Sequence, residues 1–208
     1  MIKCIIFDCD GTLVDSEYLC NLSLEILLKD YGIESSATEM MEKYRGGKLA
    51  VIIQDIELNH QVKFNDNFVS SYRKIVDELF DDKLKPCEGV ENALSEIKLP
   101  KCVASSGPIE KINKALSITG LNEHFNGKIY SSYAVGSWKP DPGIFLHAAK
   151  QMGFQPDECA VVEDSPVGIA AAKAAGMRPI LYDPNNIHST ISCMHTIKHM
   201  RELSDALT

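Results

Sequence analysis

No stretch of this 208-residue sequence approaches the roughly 20 consecutive apolar residues that a membrane-spanning helix needs. Nor is there a basic surplus: 21 lysines and arginines face 29 aspartates and glutamates, and the net charge of -8 is spread along the chain. No basic patch with interleaved aromatics occurs, which argues against nucleic acid or an anionic membrane as the main partner. The first residues run straight into a strand-like pattern, without a charged segment, an apolar segment and a small-residue cleavage site, so no secretory leader is expected. No close cysteine and histidine cluster has zinc-like spacing. The seven cysteines are odd in number, and Cys4, Cys102 and Cys159 lie inside apolar runs. They read as small buried hydrophobes in a reducing, cytoplasmic setting, not as disulfides. There is no internal repeat, and nothing implies an obligate protein partner. The length allows one large domain or a core domain with a small insert.

What is present is concentrated at the start. The apolar run Ile2-Lys3-Cys4-Ile5-Ile6 leads directly into Phe7-Asp8-Cys9-Asp10-Gly11-Thr12-Leu13-Val14-Asp15-Ser16. A nearly all-apolar strand is central in a parallel sheet, covered on both faces, and ligands sit beyond the carboxyl ends of such strands. Asp8, Asp10, Gly11 and the Thr12 hydroxyl all fall at that end, a layout suited to phosphoryl chemistry. Asp and Gly also make ordinary turns, and that reading stands beside the functional one. A calcium loop does not fit, because Leu13, Val14 and Leu19 occupy places that require oxygen ligands.

From Asp15 to about Lys85 the pattern is helical. Glu17 to Lys29 has an apolar face, with Ser16 as its expected N-cap. Shorter helices follow over Met40 to Tyr44 and Leu49 to Leu58, separated by Arg45-Gly46-Gly47-Lys48, and another runs from Asn67 to Leu79. Asp81 to Gly89, with Pro86, reads as a return linker. Thereafter helices and short apolar strands alternate. Strands are expected at Lys101–Ser105, Lys128–Ser131, Cys159–Val162 and Arg178–Tyr182, and helices at Val90–Ile97, Glu110–Ile118, Pro142–Met152 and Val167–Ala175. Thr196-Ile197 is a candidate edge strand with a weak helix after it. That rhythm predicts βαβ units around a parallel sheet. The expected organisation is an α/β core made of residues 1–15 and 86–208, Rossmann-like with helices on both faces, and a small helical cap made of residues 16–85.

Later strand ends are polar too. Ser105-Ser106-Gly107-Pro108 offers a hydroxyl and loop amides to a phosphate oxygen, or two serines that merely cap a helix. Lys139 sits in Lys139-Pro140-Asp141-Pro142, where prolines fix the backbone and Pro142 suits the first turn of the next helix. Glu163 and Asp164 follow the fourth strand. Adjacent carboxylates repel unless a cation or donor is near, which suits a hard divalent ion, although Asp164 alone could be a helix N-cap. In a doubly wound sheet all these strand ends converge on one crevice.

These four segments, in this order, resemble the motifs of the haloacid dehalogenase-like hydrolases, over Met1 to about Pro184. The helical insert is similar to the cap of the phosphoglycolate phosphatase and beta-phosphoglucomutase branch, and within it to bacterial sugar-phosphate phosphatases of the 6-phosphogluconate type. The resemblance implies that Asp8 is the nucleophile, forming an aspartyl-phosphate, and that Asp10 is the general acid and then the base. Ser105 and Lys139 complete the catalytic set, and Cys9, Asp10, Ser105, Ser106 and Lys139 hold the phosphate. It implies Mg2+ bound by Asp8, the main-chain oxygen of Asp10, Glu163 and Asp164. Arg45, Gly46, Gly47 and Lys48 match the cap loop that selects substrate, unless the two basic residues are simply exposed on a helix bend. Tyr18, Cys20 and Asn21 are further candidates for the cleft.

The partner implied is a small phosphorylated metabolite. Beta-phosphoglucomutases carry histidine where this chain has Cys20 and usually a small apolar residue where it has Thr12, so hydrolysis is favoured over a mutase. Phosphonoacetaldehyde hydrolase would need a Schiff-base lysine in the cap, and the loop around Lys48 does not look like that enzyme's. The dehalogenase branch lacks a counterpart of Asp10. A non-catalytic binding protein on the same scaffold would have lost a chemical residue, and none is missing.

Overall fold

Cys4–Phe7 forms strand β1, buried along its whole length, at the centre of a parallel sheet. The computed structural model describes residues 1–188, 191, 193 and 195–207. The sheet order is β3-β2-β1-β4-β5-β6, with β2 at Lys101–Ser105, β3 at Ile129–Ser131, β4 at Cys159–Glu163, β5 at Arg178–Tyr182 and β6 at His195–Ile197. Every pairing is parallel. β1 is flanked by β2 on one side and β4 on the other, so the order reverses beside it. Such a switch point opens a crevice at the carboxyl ends of the strands.

Alternation along the strands sorts side chains to two cores. Ile5, Phe7, Val103, Ala160 and Val162 face one cluster, with the helices α5 (Val90–Glu96) and α6 (Ile109–Ile118) against it. Cys4, Ile6, Cys102, Ala104, Cys159 and Val161 face the other, with α8 (Gly143–Met152) and α9 (Pro166–Ala174). Burial on both faces explains why these strands read as unbroken apolar runs. Phe7 is fully buried and meets Phe125 edge-on at 6.1 Å, so truncation to alanine would cost about 3–5 kcal/mol. Two short helices, α7 (Ser132–Val135) and α10 (Leu203–Ala206), complete this part.

Between β1 and α5 lie four helices and no strand: α1 (Glu17–Lys29), α2 (Ala37–Tyr44), α3 (Leu49–His60) and α4 (Phe68–Lys83). They pack on a cluster of their own that includes Leu24, Leu28, Met40, Ile56 and Phe68. Leu19, Val76 and Phe80 instead join the larger core beside the sheet, which ties this segment to it.

Several sequence expectations shift. α2 begins three residues before Met40, because Ser36 accepts a hydrogen bond from the Glu39 N–H and caps it there. α4 runs to Lys83, so the first part of the expected linker is helical: Phe80 is buried and continues the apolar face. β4 extends through Glu163, and Pro142 is the N-cap of α8, ahead of its first turn. Strand β6 and helix α10 appear where a short edge strand and weak helix were expected. Of that C-terminal stretch, Ser189, Thr190, Ser192, Met194 and Thr208 lie outside the described residues.

Candidate active site

Asp8 is the first residue after β1, and its N–H donates to the Val162 carbonyl at 3.0 Å, which locks it to the neighbouring strand. Lys139, reaching across from the loop before α8, donates to Asp8 Oδ1 at 2.5 Å and to Glu163 Oε1 at 2.6 Å. All three are buried. Burial works against the Lys139 ammonium, but the Asp8 and Glu163 carboxylates outweigh it and hold Lys139 above the ordinary lysine value. Asp8 itself is pushed well above the usual carboxylate range, first by burial and then by repulsion from Glu163, Asp164 and Asp10 against the pull of Lys139.

Glu163 is fixed by its other oxygen, which accepts from the Ser165 N–H at 2.9 Å and the Ser165 hydroxyl at 2.8 Å. Ser165, not Asp164, caps α9, accepting from the Gly168 N–H. A Cβ on Gly168 would lie 1.9 Å from Glu163 Cδ, so the carboxylate is packed into space that only glycine leaves open. Asp164 is thus free to turn into the crevice, where it accepts from Thr12 Oγ1 at 3.3 Å and from Arg45 Nη1 at 3.3 Å. Burial, Glu163 and Glu17 all raise Asp164 well above its ordinary value.

Oxygens of Asp8, Glu163 and Asp164 lie within 4.8 Å of one another. Among the described residues the three buried carboxylates pair with the Lys139 and Arg45 cations alone, and hard oxygen donors with a remaining negative charge fit a divalent metal ion such as magnesium. The site is therefore able to coordinate one.

Asp10 takes a different environment. Its Oδ1 accepts from the Ser16 hydroxyl at 2.5 Å and from Lys111 Nζ at 2.7 Å. Ser16 was expected to cap α1 but makes no side-chain cap, since its hydroxyl is turned to Asp10. Burial pushes Asp10 upward, yet the Lys111 ammonium and these hydrogen bonds prevail and leave it below the ordinary value. Glu17, one residue on from Ser16, moves the other way, from 4.5 to about 7, through burial and the nearby Asp10 charge.

A cavity of about 400 Å³ opens over these groups, between the sheet ends and the four inserted helices. Asp8, Asp10, Ser105, Ser106, Lys139, Glu163 and Asp164 border it from the strand ends, and Gly46, Gly47 and Lys48 from the helical segment. Ser105 does not cap α6, whose N-cap is Pro108; its hydroxyl accepts from the Gly107 N–H at 3.1 Å and shapes the loop. The Cys9 side chain belongs to the hydrophobic core, which leaves its backbone N–H as its only group for an anion. Arg45 does not border the cavity but grips Asp164 beside it. Gly46, with φ of 69°, lies so close to Ser165 that a Cβ would be 2.7 Å from that residue's Cβ.

Cys20 and Asn21 border the cavity as expected, whereas Tyr18 does not and is 45% exposed. Sequence reasoning missed Glu17, Lys111, Tyr72 and Trp138, all of which border it. The acidic Glu17 directly after Asp15-Ser16 was a usable signal. Lys111 gave none, being one lysine among many and 101 positions from Asp10.

Residues 2–176 match the family model for haloacid dehalogenase-like hydrolases. The chain is 34% identical to the 6-phosphogluconate phosphatase of Escherichia coli K12, over 98% of this chain and 94% of that protein. It is 30% identical to the phosphoglycolate phosphatase of Aquifex aeolicus, over 86% and 84%. A haloacid dehalogenase-like protein of Agrobacterium tumefaciens superposes with a TM-score of 0.86 at 32% identity, covering 100% of this chain and 98% of that one. A family hydrolase of Deinococcus radiodurans, with bound phosphate and sodium, superposes with a TM-score of 0.78 at 25% identity, over 99% and 95%. With the motifs assembled at one crevice and a match across most of its length, the chain belongs to the haloacid dehalogenase-like hydrolases.

Proposed function

We propose that the protein is a magnesium-dependent phosphatase that hydrolyses small phosphate monoesters through an aspartyl-phosphate on Asp8. Sugar and sugar-acid phosphates such as 6-phosphogluconate are the proposed substrates. The observation that carries this reading is the pairing of Lys139 with both Asp8 and Glu163 beside a third buried carboxylate, Asp164, under a cavity of metabolite size. The 34% identity to a 6-phosphogluconate phosphatase along nearly the whole chain supports the substrate class.

In this reading residues 16–85 are a cap on a core formed by 1–15 and 86–208, and the cap excludes water while the phosphoryl group is transferred. Lys139, Ser105, Ser106 and the backbone N–H groups at Cys9 and Asp10 hold the phosphoryl oxygens. An Asp8 carboxylate oxygen attacks phosphorus, the bond from phosphorus to the leaving oxygen breaks, and Asp10 gives that oxygen its proton. A dianionic phosphate beside Asp10 raises the proton affinity of a carboxylate that otherwise rests ionised. Asp10 then takes a proton from water, whose oxygen attacks phosphorus as the bond to Asp8 breaks, releasing phosphate and restoring Asp8. Acid–base assistance of this kind contributes about 10² to 10⁴ in rate. Asp8, Glu163, Asp164 and the Asp10 main-chain oxygen would hold magnesium, which would supply neutralisation of the charge on nucleophile and phosphate. Arg45, Gly46, Gly47 and Lys48 are the proposed cap residues that choose the substrate. Seven free cysteines, five of them buried, support a reducing, cytoplasmic setting.

The test is phosphate release by the purified protein from a panel of sugar phosphates, sugar-acid phosphates and nucleoside monophosphates, with and without magnesium, beside Asp8→Asn. Magnesium-dependent turnover that the variant loses is the expected result. Silence across the panel, with turnover of beta-glucose 1-phosphate to its isomer, would make the protein a mutase instead.

A further inference from the structure

We infer that Lys111 is a positioning residue for Asp10, fixing the carboxylate so that its Oδ2 atom is the one presented to the leaving group. This rests on the phosphatase reading above. Lys111 stands in the first turn of α6, the helix that follows the Ser105 loop, and its Nζ lies 2.7 Å from Asp10 Oδ1. Ser16 Oγ donates to the same oxygen at 2.5 Å. Among the described residues no hydrogen bond goes to Oδ2. Two donors on one oxygen, approaching from different elements, fix both the direction and the plane of a short side chain. The oxygen left without a donor belongs to a residue that borders the same cavity as Asp8.

Lys111 is not an ordinary surface lysine. Its side chain is 21% exposed, and the ammonium lies 5.7 Å from the ring of Phe80 on α4, so it is walled by the inserted helices on one side and by Asp10 on the other. A cation so enclosed holds the Asp10 carboxylate firmly, because separation would leave both charges poorly solvated. When the proton on Oδ2 passes to the leaving oxygen, the negative charge left on Asp10 is already matched by Lys111. The residue thus acts on the reaction through Asp10, without contact to the reacting atoms.

Acting through the general acid has a signature that a merely structural role lacks. A leaving group that needs a proton should be slowed far more than one that does not. The experiment measures single-turnover phosphoryl transfer, with magnesium, for 6-phosphogluconate and for p-nitrophenyl phosphate, in wild type, Lys111→Met and Lys111→Arg. The expected result is a loss of roughly 100-fold or more for the alkyl ester in Lys111→Met, and less than about tenfold for the aryl ester, with Lys111→Arg recovering most of it. Equal losses for both esters, or a change confined to KM, would overturn the assignment. Should Lys111→Met fail to fold, Lys111→Gln is read by the same two-ester comparison. A wild-type protein that turns over neither ester would sink the phosphatase reading as well, so the two failures are distinguishable.

Discussion

Lys48 lies with its Nζ 3.7 Å from the centroid of the Trp138 indole, joining the loop between α2 and α3 to the residue that immediately precedes Lys139. A cation over an indole face contributes about 0.5 to 2 kcal/mol, more as water is excluded. The contact therefore clasps the helical segment to the sheet end beside Lys139. For Lys48→Met, KM for a sugar-acid phosphate should rise about 2- to 30-fold while kcat changes little, the pattern of lost uniform binding. Steady-state kinetics with an unchanged KM would show that the clasp does not bear on substrate.

Lys139→Met should cost about 3 to 5 kcal/mol of stability, because it strands two buried carboxylates that now share one ammonium. Urea unfolding without metal measures it. Adding Glu163→Gln should restore part of the loss, since one fewer charge is then left unpaired, and a double variant no more stable than Lys139→Met would contradict that cause.

Gly168→Ala sets two effects against each other. Alanine within a helix is favoured over glycine by about 1 kcal/mol, but the new methyl would overlap the Glu163 carboxyl at 1.9 Å. Overpacking costs about 1 to 3 kcal/mol, so the variant should be destabilised and its magnesium affinity lowered as Glu163 is displaced. Thermal melting at or above the wild-type midpoint is the outcome that refutes this.

Glu17 predicts a pH dependence. Burial and the Asp10 charge raise it from 4.5 to about 7 in the folded protein. Between those values the folded chain keeps a proton that the unfolded chain has lost, so this group's contribution is fully present below 4.5 and declines as pH rises through about 7. Glu17→Gln removes the decline. Its stability relative to wild type should grow between pH 5 and 8 by up to about 3 kcal/mol in metal-free urea unfolding, and parallel curves would contradict it.

Magnesium at about 100 times its Kd should stabilise the wild type by roughly 2.7 kcal/mol if it binds only the folded state. Asp164→Asn removes one of the three clustered carboxylates and should abolish most of that increment. An equal rise in melting temperature for both proteins would place the ion elsewhere.

The core was readable because its strands are buried on two faces. Cys4–Phe7 and Cys159–Glu163 show no polar side chain until the strand end, and the chemical residues follow at once. Asp8, Ser105, Glu163 and Asp164 could be placed at one crevice from that rule alone. Less was legible where a side chain chooses between partners. Ser16 has the composition of a helix cap, yet its hydroxyl serves Asp10, and Tyr18 shares a helix with the cavity residue Asn21 but points to solvent.

By itself, the sequence determined the α/β alternation, the helical insertion after the first strand and the set of charged residues at the strand ends, because periodicity and turn chemistry are local properties. Only the tertiary structure decided how those charges pair. Lys139 chooses Asp8 and Glu163, and Lys111 chooses Asp10, across separations of 131, 24 and 101 residues. Those choices follow from which groups are driven out of water together, and Coulomb energy between enclosed charges is set by distance in space and not by distance along the chain.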